Sequence, residues 1–382
     1  MADTLKNTLG KAENLLSSDA KVSDLISAEN ADFQPMKLWY GSHAQPKEHS
    51  QDNDEQLSQE FVDAATDDQQ ASGPPPISAL INDLLPNGAG TTIAILDSGI
   101  NTTHTAFAQR ISPESKSFVS DSIEDVLGHG TQCAGLACGS EDIIAIGNHQ
   151  LPFQGIAPEA KVMVCKVVPD GTDQASGDAV IQALEHILEY NRTCSTHYDR
   201  VSVVSISFGM PTFDYFLSKK IQEVIYNDII VVCAALNDGR KYKQSITYPA
   251  RLGHVLCIGS CNSNGGHSSF SPRGRELDFL APGEDICAPT IGGPSMYASV
   301  TGTSFAAPLV AGIVCQIVQD LRDQQPLLID QLHNVWGMRE ILKHMSTIQG
   351  VHHQDEGFGI LRPLEYFEKT RNEKNSVLSK IL

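Results

Sequence analysis

The chain has 382 residues and a formal net charge of −19 at pH 7, and 41% of its residues are hydrophobic. The excess of acidic groups argues against nucleic acid and anionic membranes as partners, because both carry the same sign of charge. The hydrophobic fraction is sufficient for a sizeable core. The nine cysteines are an odd number, and several lie inside apolar runs, which argues against a disulfide framework.

Residues 1–75 form an acidic region with 14 Asp and Glu against 5 Lys and Arg, a net charge of −9. Within it, residues 4–27 have the apolar spacing of one or two short amphipathic helices, which either dock on the rest of the chain or a partner, or stay frayed in solvent. Residues 51–71 have the composition of a disordered linker. We expect the main domain at 76–367 and a tail at 368–382. No secretory signal is seen, which favours an intracellular protein.

The first candidate functional residue is Asp97, which ends the apolar run Ile93 to Leu96 and precedes Ser98-Gly99. A β-branched run closed by a turn signal predicts a buried strand. A carboxylate at the C-terminal end of such a strand points into the crevice where open α/β sheets bind ligands. Taken alone, an Asp in this position is more often a turn or helix-capping residue.

His129 lies between two glycines, in Gly128-His129-Gly130-Thr131. The small and polar residues around it predict a helix start with the imidazole in the first turn. Glycines on both sides let another backbone or a substrate approach closely, which favours a functional histidine. An isolated histidine of this kind would otherwise be interpreted as a surface loop residue.

Two later stretches, 176–190 and 214–226, have the apolar spacing of helices that cross between parallel strands. Strands that alternate with such helices predict an α/β fold, in which a mostly parallel sheet carries helices on both faces.

Asn237 follows the buried run 229–234 and precedes Asp238-Gly239. Its side-chain amide could donate a hydrogen bond to a developing oxyanion. An Asn before Asp-Gly is also an ordinary turn former. The position alone does not distinguish these two interpretations.

Ser304 precedes an apolar run that begins at Phe305 and predicts a fully buried helix. The positive end of the helix dipole and the Ser304 N–H would favour an anion formed on attack by the hydroxyl. The alternative is an ordinary N-cap serine. We expect Pro308 in the first turn of this helix. The apolar run is interpreted as too short and too interrupted to span a membrane.

The four segments, in this order, resemble the subtilisin-like serine proteases, and the resemblance runs from about residue 88 to 363. It implies a three-layer α/β fold and a serine-type endopeptidase that acts on proteins or peptides. In this family pattern Asp97 orients His129, and His129 activates Ser304 as the nucleophile. The side chain of Asn237 and the backbone N–H of Ser304 form the oxyanion hole.

The resemblance also implies a set of substrate-binding residues. The backbone of an extended substrate is expected to pair with Ser207, Phe208 and Gly209. The pocket for the residue before the scissile bond is expected to be bordered by Ala235, Leu236 and Thr247. Leu236 stands where relatives usually have glycine, and no acidic residue is seen near Thr247. We therefore expect an apolar, narrowed pocket that rejects Arg and Lys, since a buried unpaired charge is costly.

Other positions also depart from the family pattern. Gln132 replaces a second histidine of many relatives, and Cys133 is expected close to His129. The early carboxylate of the tight calcium site of secreted relatives falls at Ala106, and residues 139–158, which include its later loop, are altered. Calcium needs six to eight oxygen ligands. We expect that no metal or other cofactor is required, and a weak calcium site elsewhere is not evident.

Two functions stay open at this point: an active serine endopeptidase, and a catalytically silent subtilisin-fold protein that binds peptides or partners. All four chemical positions are filled, which favours the enzyme. A nucleotide site is discarded, because the chain has neither a phosphate-loop lysine nor the spaced glycines of a dinucleotide fingerprint. We expect a monomer whose partners are protein or peptide substrates.

Overall fold

The computed structural model describes residues 37–39, 85–107, 109–146, 149–196, 198–240, 245–348 and 350–372. The helices expected within residues 4–27 and the linker expected at 51–71 lie outside this part of the chain, so both stay predictions. The same holds for residues 373–382 of the expected tail.

The strands of the described chain are β1 (Lys37–Trp39), β2 (Thr92–Asp97), β3 (Lys116–Ser117), β4 (Asp142–Ile146), β5 (His149–Phe153), β6 (Lys161–Lys166), β7 (Gln174–Ser176), β8 (Val201–Ile206), β9 (Ile230–Ala234), β10 (Leu256–Cys261), β11 (Phe279–Pro282), β12 (Ile286–Pro289) and β13 (Tyr297–Val300). The helices are α1 (His129–Cys138), α2 (Gly177–Thr193), α3 (Tyr215–Tyr226), α4 (Thr303–Gln324), α5 (Ile329–Leu332), α6 (Val335–His344) and α7 (Pro363–Asn372).

A central sheet has the strand order β11-β10-β9-β8-β2-β6-β3, and every neighbouring pair in it is parallel. β2, β8, β9 and β10 are buried at every residue. Strands covered on both faces are expected to be continuous apolar runs, as these are. Antiparallel pairs lie outside the sheet: β1 with β7, β4 with β5, and β12 with β13.

Helices cover the sheet. α1 and α4 pack against each other and against sheet strands, and α2 packs against α3. The structure confirms the predicted three-layer α/β fold with a mostly parallel sheet. The helices predicted at 176–190 and 214–226 are α2 and α3. Each begins one residue later because its first predicted residue is the N-cap: the side chain of Ser176 accepts from the Ala179 N–H, and that of Asp214 from the Leu217 N–H.

α4 is longer than the sequence suggested. It spans 22 residues, so the expectation that the apolar run is too short for a membrane span is wrong on length. However, 89% of its most apolar window is buried inside the protein, which is the environment of a core helix. Pro308 lies at the sixth helical residue, in the second turn and not in the first.

Arg110 cross-links the end of α1 to its surroundings. Its guanidinium donates to the backbone carbonyl oxygens of Ala106, Cys138 and Ala160 and to Ser140 Oγ. The bonds to Ala106 and Ser140 are 2.6 and 2.7 Å long. One cation thus binds four oxygens from three separate backbone segments, and holds them at fixed distances.

This is the region in which the sequence predicted a damaged calcium site. The carbonyl oxygen of Ala106 already accepts from Arg110. The nearest carboxylate on the following hairpin, Asp142, accepts from Thr105 Oγ1 at 2.9 Å and from the Tyr297 hydroxyl at 2.8 Å. A guanidinium among the oxygens would repel a divalent cation. The residues here therefore do not fit calcium.

Replacing Arg110 by methionine is expected to lower the free energy of unfolding by about 2 kcal/mol, because buried carbonyl oxygens lose charged donors. Urea unfolding measures this change. Arg192→Met is the control, since Arg192 pairs with the surface carboxylates of Glu189 and Glu223, and its loss should cost roughly 0.5 kcal/mol or less. A chelator should leave the wild-type melting temperature unchanged. A melting temperature that rises with calcium would contradict this assignment.

Candidate active site

Asp97 and His129 form a buried hydrogen-bonded pair. Asp97 is the last residue of β2 and His129 the first of α1, and their exposed fractions are 0% and 5%. The Asp97 carboxylate oxygens lie 2.9 and 3.0 Å from His129 Nδ1. This contact holds the proton on Nδ1 and leaves Nε2 as the basic nitrogen. The burial of both residues argues against a surface-loop histidine, and the contact favours a functional pair over a turn or capping role for Asp97.

The glycines beside His129 have the role that the sequence suggested. A Cβ on Gly130 would lie 2.3 Å from the carbonyl oxygen of Gly99, so only glycine lets the first turn of α1 approach the end of β2 this closely. Gly128 has a φ of 91°, a left-handed conformation that favours glycine.

Asp125 is a supporting residue that the sequence reasoning missed. One carboxylate oxygen accepts from Ser98 Oγ and from the N–H groups of Leu127 and Gly128, at 2.8 to 3.0 Å. The other accepts from the N–H and the hydroxyl of Thr131. The carboxylate therefore caps α1 and ties it to the residue after Asp97. An acid just before a helix start was the available signal.

The charge of Asp97 controls the basicity of His129. Burial is the largest single effect and favours the neutral imidazole, but the Asp97 carboxylate and the neighbouring Cys133 together outweigh it, and the pKa of His129 lies well above its ordinary value of 6.5. Cys133 Sγ lies 3.7 Å from His129 Nδ1, as the helical spacing predicted. Burial raises the pKa of this thiol, so it stays neutral at pH 7.

Asp97, His129 and Cys133 are also the one group of His, Cys, Asp and Glu in the described part of the chain with its ligand atoms close enough to hold a metal ion. The space between Asp97 and His129 is already taken by their hydrogen bond. We therefore interpret the group as an acid–base pair with a neighbouring thiol.

Ser304 is the second residue of α4 and is completely buried. Its hydroxyl donates to the Ser207 carbonyl oxygen at 3.1 Å, and the Ser207 hydroxyl donates to the Ser304 carbonyl oxygen at 2.8 Å. The Ser304 carbonyl is free for this bond because Pro308, four residues later, has no N–H to offer it. Cys133 Sγ contacts the same carbonyl oxygen at 3.4 Å.

The side chain of Asn237 is oriented by the start of α4. Its Oδ1 accepts from the N–H of Thr303 at 3.0 Å and from the Thr303 hydroxyl at 3.1 Å. The oxygen is therefore engaged, and the NH₂ group is turned away from Thr303. A Cβ on Gly302 would lie 3.2 Å from Asn237 Nδ2. The N–H of Ser304 has no acceptor within its own helix, so two donors can converge beside this serine.

The expected substrate-binding residues divide into two groups. β8 ends at Ile206, so Ser207, Phe208 and Gly209 extend beyond the sheet. Phe208 and Ala235 are buried in the core, with exposed fractions of 1% and 0%, and only their backbones can meet a substrate.

Gly209 of the expected pairing segment lies close to Leu236 and Thr247 of the expected pocket. A Cβ on Gly209 would lie 2.8 Å from Thr247 Oγ1 and 3.1 Å from Leu236 Cδ1. Leu236 has a φ of 70° and is 3% exposed. This left-handed conformation explains why glycine is usual here, and the leucine side chain fills space beside Gly209. The assignment of these residues to substrate binding stays a prediction.

A cavity beside the acid–base pair was not predicted. It has a volume of about 390 Å³ and is lined by Ser98, Val126, Leu127 and residues 168–173. Ser98 directly follows Asp97, and Leu127 precedes His129 by two residues, so two of the lining residues are close in sequence to the proposed acid–base pair. Val126 and Leu127 are 56% and 38% exposed, which gives it an apolar wall.

Known proteins share this fold and these sequence segments. The structure is similar to that of a cold-adapted subtilisin-like serine proteinase, with a TM-score of 0.57 and 23% identity over 72% of this chain and 89% of the other. It is also similar to the prenylagaramide maturation protease PagA, with a TM-score of 0.57 and 23% identity over 77% and 98%. At this identity the likeness shows the fold.

Relatives at 30–33% identity show that the similarity extends from the fold to the sequence. The major intracellular serine protease of Bacillus subtilis (strain 168) is 30% identical over 238 residues, 60% of this chain and 69% of the relative. The intracellular serine protease of Paenibacillus polymyxa is 32% identical over 242 residues, 61% and 68%. Subtilisin Savinase of Lederbergia lenta is 33% identical over 262 residues, 68% and 83%. The model of the subtilase family matches residues 88–360, and the chain belongs to this family.

Proposed function

We propose that this chain is a serine endopeptidase in which Asp97, His129 and Ser304 form the triad, while Asn237 and the Ser304 N–H form the oxyanion hole. Membership of the subtilase family and relatives named serine proteases support the activity. The observation that carries the residue assignment is the buried contact of both Asp97 oxygens with His129 Nδ1. The His129 ring also lies 5.3 Å, between centroids, from the ring of Phe305, which follows Ser304 at the start of α4.

The reaction follows from these positions. Ser304 Oγ exchanges its bond to the Ser207 carbonyl for one to His129 Nε2, and then attacks the peptide carbonyl carbon as its proton passes to His129. The imidazolium is stabilised by Asp97. It then protonates the leaving amine as the C–N bond breaks, which leaves an acyl-enzyme. Water, deprotonated by the same imidazole, releases the acid and regenerates the serine.

The oxyanion hole stabilises both tetrahedral intermediates. Asn237 Nδ2 and the Ser304 N–H supply fixed donors in a buried site, so no reorganisation is needed as charge develops. Removal of the corresponding donor in subtilisin, itself a member of this family, costs about 10²–10³-fold in turnover, and we carry that magnitude over to Asn237.

Specificity follows from Leu236. The position of its side chain against Gly209 supports a pocket that takes a small or medium, uncharged residue before the scissile bond. Thr247 Oγ1 is buried and has no hydrogen-bond partner within the described ranges.

The compartment is proposed to be intracellular. Two relatives carry that word in their names. All nine cysteines are free thiols, and seven of them are buried, which suits a reducing environment. Docking of a partner by the N-terminal region and a monomeric state are further proposals.

Ser304→Ala is expected to fold normally and to lose covalent labelling by a fluorophosphonate together with peptide hydrolysis, because the hydroxyl is the nucleophile. Gel-based labelling and hydrolysis of an unfolded protein substrate measure both activities. Ser295→Ala, an exposed serine, is the control that should keep them. Absence of labelling in the folded wild type would favour the catalytically silent alternative, and labelling retained in Ser304→Ala would refute the assignment of the nucleophile.

The pH dependence of kcat/KM reports the pKa of His129 and therefore the charge of Asp97 beside it. His129 must be neutral to accept a proton, and its pKa is raised, so kcat/KM should rise with pH through an inflection above 6.5. Asp97→Asn removes the charge that raises the pKa, so the inflection should move to lower pH while the rate falls about 10⁴-fold. Profiles of kcat/KM over roughly pH 5 to 10 test this. An inflection that stays in place in Asp97→Asn would contradict the electrostatic account.

Leu236→Gly is expected to open the pocket and relieve the left-handed backbone. The ratio of kcat/KM for Phe over Ala before the scissile bond should rise about 10-fold, since a pocket that admits more apolar area gains roughly that much. Matched peptide pairs measure the ratio. Asp228→Gly is the control: it relieves a similar φ of 57° at another position and should leave the kcat/KM ratio unchanged. A dominant preference of the wild type for Arg or Lys would overturn this account of the pocket.

A further inference from the structure

Three aromatic residues are exposed around the start of α3. Phe213, Tyr215 and Phe216, which we call the aromatic patch, have exposed fractions of 52%, 57% and 65%. The rings of Tyr215 and Phe216 meet edge to face at 5.7 Å. Clusters of large exposed apolar side chains mark interaction sites more often than single ones do.

The patch is not needed for the packing of α3. The inner face of this helix is formed by its buried residues, Leu217, Ile221, Val224 and Ile225. Tyr215 and Phe216 lie on the opposite, solvent-facing side, where a surface helix normally carries polar residues. Asp214 caps the helix without help from the aromatic rings. The three rings therefore expose apolar surface that the fold itself does not require.

The patch is continuous with the proposed substrate cleft. The ring of Phe213 packs edge to face on Tyr248, with centroids 5.3 Å apart. Tyr248 exchanges two backbone hydrogen bonds with Met210, of 2.7 and 2.9 Å. Met210 directly follows Gly209, which lies close to Leu236 and Thr247 of the proposed pocket for the residue before the scissile bond. A chain leaving that pocket along Gly209 and Met210 would reach the patch next.

We propose that the aromatic patch binds apolar side chains of an extended polypeptide substrate, at positions several residues before the scissile bond. The inference rests on the proposed function and names the substrate class: unfolded chain segments with apolar residues upstream of the cut. Phe213 lies four residues beyond Gly209 in sequence. An extended substrate advances about 3.3 Å per residue, so residues roughly five to seven positions before the cut are within range.

Charge favours a substrate over a second copy of this chain. Each copy has a net charge of −19, so two copies repel each other at low salt. The rings are accompanied by cations: Lys219 Nζ lies 5.8 Å from the Tyr215 ring and Arg251 Cζ 5.9 Å from the Tyr248 ring. The patch thus presents apolar surface with both signs of charge beside it, since Asp214 lies between Phe213 and Tyr215 and Arg251 pairs with Glu276. This suits an apolar substrate segment.

The test uses Phe213→Ser, Phe216→Ser and the double variant of the full chain. Substrates are synthetic peptides of about twelve residues with one cleavage site and Phe or Ser at about five, six or seven positions before it, together with a four-residue amide too short to reach the patch. The double variant should lose a preference for upstream Phe of about 10-fold in kcat/KM, the effect of one well-buried aromatic contact. Tyr226→Ser, exposed at the other end of α3, is the control.

Fluorophosphonate labelling of Ser304 and hydrolysis of the four-residue amide should be equal in wild type and variants, which shows that the variants fold. A wild type with no preference for upstream Phe would overturn the inference while leaving the protease intact. Equal loss on long and short substrates would overturn it too, since the patch would then be structural. A concentration-dependent dimer abolished by the double variant, with substrate preference unchanged, would assign the patch to self-association. A wild type that neither cuts nor labels would refute the proposed function itself.

Discussion

The buried contact between Asp97 and His129 is the interaction on which the site depends. A charged carboxylate at 0% exposure is costly unless donors surround it. Here the imidazole and the N–H of Ser98 supply those donors. The contact also requires that α1 begin beside the end of β2, and Asp125 holds the two elements together. Helix capping, charge burial and the basicity of His129 are therefore one coupled arrangement.

The position of Ser304, the proposed nucleophile, depends on a second constraint, at the start of α4. In an α-helix the carbonyl groups of the first turns ordinarily bond to the N–H groups four residues later. Pro308 prevents this at Ser304, whose carbonyl accepts from Ser207 instead. The same start orients Asn237 through Thr303. Core packing thus places Ser304, the proposed oxyanion donor Asn237 and Ser207 of the proposed substrate-binding segment within one small region.

Sequence reasoning found most of this site because local patterns carry it. Asp97 ends a strand, His129 lies between glycines and Ser304 opens an apolar helix, and each pattern reports a local conformation. What it missed depends on contacts between distant segments. The many bonds of Asp125 and the four oxygens around the guanidinium of Arg110 come from residues far apart in sequence, and no local spacing encodes them. The α/β fold could be predicted because strands alternate with helices along the chain. The length of α4 could not, because it depends on burial of this helix against the sheet.

The most direct test of the account is a crystal structure of the chain after reaction with a peptidyl phosphonate. The phosphorus should be bonded to Ser304 Oγ, with its charged oxygen about 2.7–3.1 Å from both Asn237 Nδ2 and the Ser304 N–H. His129 Nδ1 should still contact both oxygens of Asp97. An adduct on another residue, or a phosphoryl oxygen turned away from Asn237, would contradict the proposed roles of these residues.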